Sequence, residues 1–253
     1  MKKAYEYLRG LFGLSLQIAK ANFILRNEGS YLGILWYLLY PILFFTIIMF
    51  VRDVAFNSNN IVNYPLFLLL GLIMFNFFTA VVGNSTRIIQ SNSGIIKSIK
   101  FETLALLFAS LIQFIFSHLF ELVVFLTFLI YFNDLTIGIL FYPLIFFFYC
   151  LFILGLSLIF ATIGVYVNDL KNIWAILSTL LLFATPIWYN SSSSVMNLIN
   201  PLYYFITIAR EIIIYNQVPS IKLVFVAVVF SISFFILGLL VFNKYKSEFG
   251  ELI

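Results

Sequence analysis

His118 and Glu121 stand three residues apart in the middle of an apolar stretch that runs from about 104 to 132. That spacing puts both on one face of a helix. Ionisable groups buried in hydrocarbon are costly unless they are paired or wet. Two chemistries fit the pair: a proton relay or contact with a polar substrate, and a structural bond between helices. A single pair with no further carboxylate in the apolar segments is thin for a proton-driven carrier. A metal site is not indicated, because there is no H-E-x-x-H pattern and no third ligand.

The second group of interest is aromatic. Trp36, Tyr40 and Phe44 recur every four residues, with Tyr37 alongside. Their faces suit the apolar C–H faces of pyranose rings. Trp and Tyr also belt the membrane interface in most membrane helices, so composition leaves both readings open. Phosphate chemistry is missing: the nearest approach to a Walker A loop is Ser93–Ser98, "SGIIKS", which lacks the required Gly before Lys and follows no strand. Energy from ATP, if used, must come from another polypeptide.

The elements that position these residues follow from composition. The chain has 253 residues, 63% hydrophobic and 9% charged, with mean hydropathy +1.10. Soluble domains carry roughly 25% charged residues, so the expectation is an all-α, multi-pass membrane protein. Cys150 is the single cysteine and cannot form a disulfide within the chain. No polar segment is long enough for a folded soluble domain. One domain is expected over 1–253, and no nucleic-acid partner.

Six spans are predicted, at 31–51, 64–86, 104–132, 139–166, 172–189 and 221–243. The first is expected to stop at Arg52 and Asp53, and the fifth is only just long enough. Residues 4–24 are not a span. Glu6, Arg9, Gly13, Gln17 and Lys20 form a polar stripe against Leu8, Leu11, Phe12, Leu14 and Ile18, which predicts an amphipathic helix lying in the headgroup region. A signal peptide is the competing reading, weakened by Glu6 and Arg9.

Lys and Arg orient the chain. Lys2, Lys3, Arg9, Lys20, Arg26, Arg87, Lys97, Lys100, Lys171, Lys244 and Lys246 fall on one side, and Arg52, Arg210 and Lys222 on the other. Both termini are therefore expected in the cytoplasm, with the chain in the inner cell membrane.

Two further segments stand out. In the loop 87–103, Ile95, Ile96 and Ile99 cluster while Lys97 and Lys100 point elsewhere. Such a segment could dock a soluble partner or dip into lipid. Residues 190–215 are too apolar for a free loop, and Pro186 and Pro201 break helices. Short re-entrant helices fit, serving as an outer gate or as a packing lid.

Against this background the stretch Arg26–Pro41, "RNEGSYLGILWYLLYP", resembles the first-span signature of the membrane subunits of type-2 ABC exporters that move polysaccharides, O-antigen or teichoic acid. Arg26, Gly29, Ser30, Leu32, Gly33, Leu35, Trp36, Leu38 and Pro41 stand at the family's places. Asp169 and Leu170 match a later motif, in which Asn168 replaces the usual Arg. "TPIWY" at Thr185–Tyr189 and Asn200, Pro201 and Arg210 match two more. Phe101-Glu102 departs from the pattern, which usually shows Pro after Phe.

The resemblance implies a permease that is not itself an enzyme, two copies of it working with two ATP-binding subunits that carry ATP and Mg. It implies a lipid-linked polysaccharide as cargo and Trp36, Tyr37, Tyr40 and Phe44 as channel lining. Arg9, Ile95, Ile96, Lys97, Ile99 and Lys100 would touch the ATPase. Pro186, Trp188, Tyr189, Asn200, Pro201 and Arg210 would form the outer gate. An exporter of a small hydrophobic molecule or lipid is the main alternative. A membrane-embedded transferase lacks the clustered carboxylates or arginines it would need near a membrane face, and a purely structural subunit would lack a continuous cavity.

Overall fold

The computed structural model describes residues 2–27, 31, 33–55, 61–98, 102–132, 134–189 and 199–253, with the side chains of a few helical residues, Tyr37 and Tyr40 among them, left outside the description. All regular structure among the described residues is helical. In chain order the helices are α1 (Lys2–Asn27), α2 (Trp36–Ala55), α3 (Tyr64–Ser85), α4 (Ile88–Ser91), α5 (Ser93–Ser98), α6 (Thr103–Tyr131), α7 (Tyr142–Tyr166), α8 (Leu170–Ala184), α9 (Pro201–Ile213), α10 (Ile221–Tyr245) and α11 (Phe249–Leu252). Short 3-10 turns at Gly33–Leu35 and Ile137–Phe141 lead into α2 and α7.

Four segments are long and apolar enough to cross a bilayer: Tyr64–Ser85, Thr103–Tyr131, Ile137–Tyr166 and Ile221–Tyr245. They agree closely with four of the expected spans. Two expectations need correction. The segment 172–189 ends as a helix at Ala184, because Pro186 cannot continue it. Its 15 residues reach only ~22 Å, short of the ~30 Å of hydrocarbon. Arg52 and Asp53 do not stop the first apolar helix, which runs on to Ala55. The amphipathic segment 4–24 is one longer helix, α1, whose Phe23 packs on Phe116 and Phe120 of α6.

Helix α3 is the hub. Pro65 supplies its first turn, and neighbours cover it on nearly all sides, so that even successive residues such as Leu68, Leu69 and Leu70 are fully buried. At the other extreme, α10 exposes Phe225, Val229, Ile232, Ile236 and Leu240, as lipid contact requires. Yet its inner face packs backbone to backbone on α7. A Cβ on Gly155 would lie 2.4 Å from the Phe234 carbonyl, and one on Gly238 would lie 2.3 Å from the Gly155 oxygen. Small residues let two backbones meet where no water-driven collapse is available.

The bundle has two distinct ends. At one, the start of α3, the turn before α7, the end of α8 and all of α9 come together. Asn63, in a left-handed conformation (φ 53°), donates from its side-chain amide to Asp134, and Thr136 donates to the Ile213 carbonyl over 2.8 Å. At the other, the loop 87–103 carries two short helices, α4 and α5. Gln90 Nε2 donates to the Gly164 carbonyl (2.7 Å) and to Asn168 Oδ1 (2.9 Å). Tyr166 donates to Glu248 over 2.5 Å, and Phe249 of α11 is buried against Phe242 at 5.3 Å.

Gly155→Ala and Gly238→Ala should each lower thermal stability by about 1–3 kcal/mol, since the new methyl meets backbone rather than a movable side chain. Gly94→Ala, which meets nothing within 4 Å, should be neutral or slightly stabilising. Thermal unfolding of the purified variants in one detergent checks this, and equal melting for all three would contradict it.

Candidate functional site

Two polar constellations occupy this apolar bundle. The first surrounds Arg210. Asn200 begins α9: its side-chain oxygen accepts the Leu202 N–H (3.0 Å), and its amide donates to Thr185 Oγ1 (2.8 Å). The cap fixes where α9 starts and ties it to the strap that follows α8. Two and a half turns on, Arg210 is 4% exposed. Its Nη1 donates to the Pro186 carbonyl (2.6 Å), Nη2 to Ile187 (3.0 Å) and Phe67 (3.0 Å), and Nε also to Phe67 (3.2 Å). The guanidinium carbon lies 3.3 Å from the Phe67 ring centre. A Cβ at position 71 would come within 2.5 Å of Nη2, so glycine there leaves room for the cation against α3. Burial pulls the Arg210 pKa down to about 9, and the group is still cationic at neutral pH.

The strap itself is held by main-chain and ring contacts. Tyr64 donates to the Trp188 carbonyl (3.1 Å) and Trp188 Nε1 to Leu182 (3.2 Å). Tyr189 is partly exposed and reaches the Phe183 carbonyl at 3.4 Å. Phe44 of α2 meets Trp188 edge-on at 6.4 Å. Pro186, Trp188, Asn200, Pro201 and Arg210, expected to act together, are thus one unit. Residues 190–198 lie outside the described residues, and α9 is the one helix described in the segment 190–215.

The second constellation is a half-open cleft of about 440 Å³ between α1, α2, α3 and α6. Trp36, half exposed, lines it together with His118 and Glu121. His118 is 1% exposed. Its Nδ1 lies 3.2 Å from Glu121 Oε2 and its Nε2 2.7 Å from the Tyr142 hydroxyl. A proton on Nδ1 serves the carboxylate, and Nε2 then accepts the Tyr142 O–H. The ring stacks on Phe146 at 4.7 Å and leans on Phe77 at 4.9 Å. The expected pair is therefore a chain of three, and of the aromatic row Trp36 shares its cavity, while Phe44 packs on Trp188 instead. Tyr142 was not legible beforehand, because 24 residues separate it from His118. The Tyr37 and Tyr40 side chains lie outside the described residues.

On α5, Ile95 and Lys97 are exposed and Ile96 is turned partly inward; Arg9 is exposed on α1, which packs along α6. Ile99 and Lys100 lie outside the described residues. Sequence reading missed α11, which packs against both α5 and α7.

Residues 15–214 match the family model described as ABC-2 type transporter. This chain belongs to the ABC-2 type transporter family. Over 264 aligned residues it is 26% identical to the O-antigen export system permease protein RfbA of Myxococcus xanthus, covering 100% of this chain and 98% of that one. Two proteins of the same name from Klebsiella pneumoniae are 28% and 27% identical over 253 residues, with 96% of each chain covered. With its four long apolar segments, this ABC-2 family member is a multi-pass membrane protein. The family match contains the cleft, the α9 clamp and the α4–α5 turn, and stops before α10.

Arg210→Met should cost about 2–4 kcal/mol, because it strips the buried Pro186 and Ile187 carbonyls of their donor and removes the bonds to Phe67. Arg210→Lys should recover only part, since an ammonium cannot fork across them. Asn200→Ala should cost about 1 kcal/mol through the lost cap. Thermal unfolding of the detergent-solubilised protein reads all three, and an Arg210→Met variant that melts with the parent would contradict the clamp.

Proposed function

We propose that two copies of this chain form the membrane conduit of an ATP-driven exporter for a lipid-linked, O-antigen-like polysaccharide, powered by two ATP-hydrolysing partner subunits. The observation that carries this reading is the end-to-end similarity to three proteins named as O-antigen export permeases. The physics is consistent. One hydroxyl moved from water to hydrocarbon without a partner costs about 4–8 kcal/mol, so a glycan needs a protein-lined, hydrated route.

In this reading α2 is a fifth crossing, and α8 together with the non-helical strap 185–189 that follows it makes the sixth. The end that carries Arg87, Lys97, Lys171, Lys244 and Lys246 faces the cytoplasm, in the inner membrane, with both chain ends on that side. Helix α1 rides in the headgroup region there. The clamped strap and α9 form the outer gate, re-entering from the far side. Trp36, Tyr37, Tyr40 and Phe44 offer weak, repeated contacts over which sugar rings slide. Exposed Ile95 and Lys97 on α5, with Arg9 on α1, meet the ATPase, where ATP and Mg are bound. Closure of the ATPase pair pushes on α5. Because Gln90 binds Gly164 and Asn168 and α11 packs on α5 and α7, the push passes into α7 as a rigid-body displacement.

Proteoliposomes holding this chain, its ATPase partner and a lipid-linked glycan should move the glycan only with ATP. Ile95→Glu and Lys97→Glu should reduce transport about tenfold or more by weakening the docking surface. Export of a small amphiphile with no movement of glycan would overturn the proposed cargo.

A further inference from the structure

We infer that the cleft around His118 and Glu121 is a binding site for a neutral sugar, set apart from the clamped outer end. Three observations lead there. The cavity, about 440 Å³, falls within the ~300–1,000 Å³ typical of small-molecule sites. Its polar groups are incompletely used. The side-chain nitrogen of Asn76, a lining residue, is buried without a hydrogen-bond partner. A buried amide donor of this kind calls for an acceptor. Glu121 Oε2 faces His118, and Thr79 and Ser117 donate within their own helices, to Asn76 and Gln113 carbonyls, which leaves their oxygens able to accept. Finally, the walls between these groups are the rings of Trp36, Phe77 and Phe114.

A sugar hydroxyl is both donor and acceptor, so it can satisfy Asn76 as an acceptor and a carboxylate or hydroxyl as a donor, while its C–H face lies on an aromatic ring. A phosphate fits less well. Among the described lining residues there is one cation, Arg26, and one carboxylate, Glu121, so the site has no excess positive charge and a dianion would face Glu121. The His118–Tyr142 bond fixes the imidazole and so aims the Glu121 carboxylate, which makes His118 and Tyr142 positioning residues. The inference rests on the glycan-export reading only for the identity of the natural occupant.

The test is photolabelling of the full chain in nanodiscs with a diazirine-bearing hexyl maltoside, beside a matching phosphocholine probe. The maltoside should label peptides from Tyr64–Ser85 and Thr103–Tyr131, and soluble maltose should compete. Asn76→Leu and Glu121→Gln should each cut that labelling about tenfold, the equivalent of one hydrogen bond to a charged or buried group. Ala80→Leu, which fills the cleft without touching its polar groups, should do the same and serves if either polar variant fails to fold. Labelling of these peptides unchanged in the folded variants, or equal labelling by phosphocholine with no competition by maltose, overturns the site. Sugar-competed labelling without glycan transport by the paired complex would keep the site and overturn the exporter reading. Transport without such labelling would do the reverse.

Discussion

A guanidinium inside an apolar bundle must find oxygen for its N–H groups, and a non-helical strap in the same place must find donors for its carbonyls. Arg210 meets both needs at once. The Pro186 and Ile187 carbonyls lie beyond the end of α8, where no helix offers them an N–H, and each would be costly to bury alone. Arg210 supplies both and takes the Phe67 carbonyl of α3 as well. One side chain thereby fixes the strap, α9 and the hub helix to each other. The geometry depends on Gly71 for space and on the Asn200 cap for the register of α9. Partner oxygens that are neutral make this a packing device rather than an ion pair, so its strength comes from the number and direction of its bonds.

The cleft near the middle of α6 is the opposite kind of polar site. At Arg210 three carbonyls meet the guanidinium. Around Glu121 a buried amide nitrogen has no partner, and the cavity is open on one side. In a membrane bundle, saturated polar groups hold helices together, while unsaturated ones face water or ligand. The third polar region, at the basic end, couples neighbours through Gln90 and the Tyr166–Glu248 bond. The three regions sit at the two ends and the middle of one bundle.

Much of this was legible in the amino-acid sequence because lipid leaves few options for backbone. Four long apolar runs became four helices within a few residues of expectation, whereas Pro201, read as a helix breaker, instead opens α9 behind the Asn200 cap. The shortened α8 was less legible, because hydropathy continues through Ile187 and Trp188 after Pro186 has ended the helix. Arg52 and Asp53 near the end of α2 misled in the other direction, since charge near a helix terminus does not prevent helical backbone. The residues of the clamp were recognisable as a group, but not the bonds that join them. Arg210 binds main-chain carbonyls, which every residue possesses and no sequence pattern displays. Tyr142, Asn76 and α11 were missed for a related reason: each acquires its role from a neighbour distant in the chain.

The central claim is that one polar site is wet and the other dry. Single cysteines placed in a Cys150→Ala background, at Ala80 in the cleft, at Thr185 beside the clamp and at Leu240 on the exposed face of α10, can be titrated with a charged, membrane-impermeant thiol reagent, which reacts with thiolate in water. Rapid modification at position 80, with positions 185 and 240 protected, is the predicted result. Equal protection at 80 and 185, or modification at 185 as fast as at 80, would contradict the account.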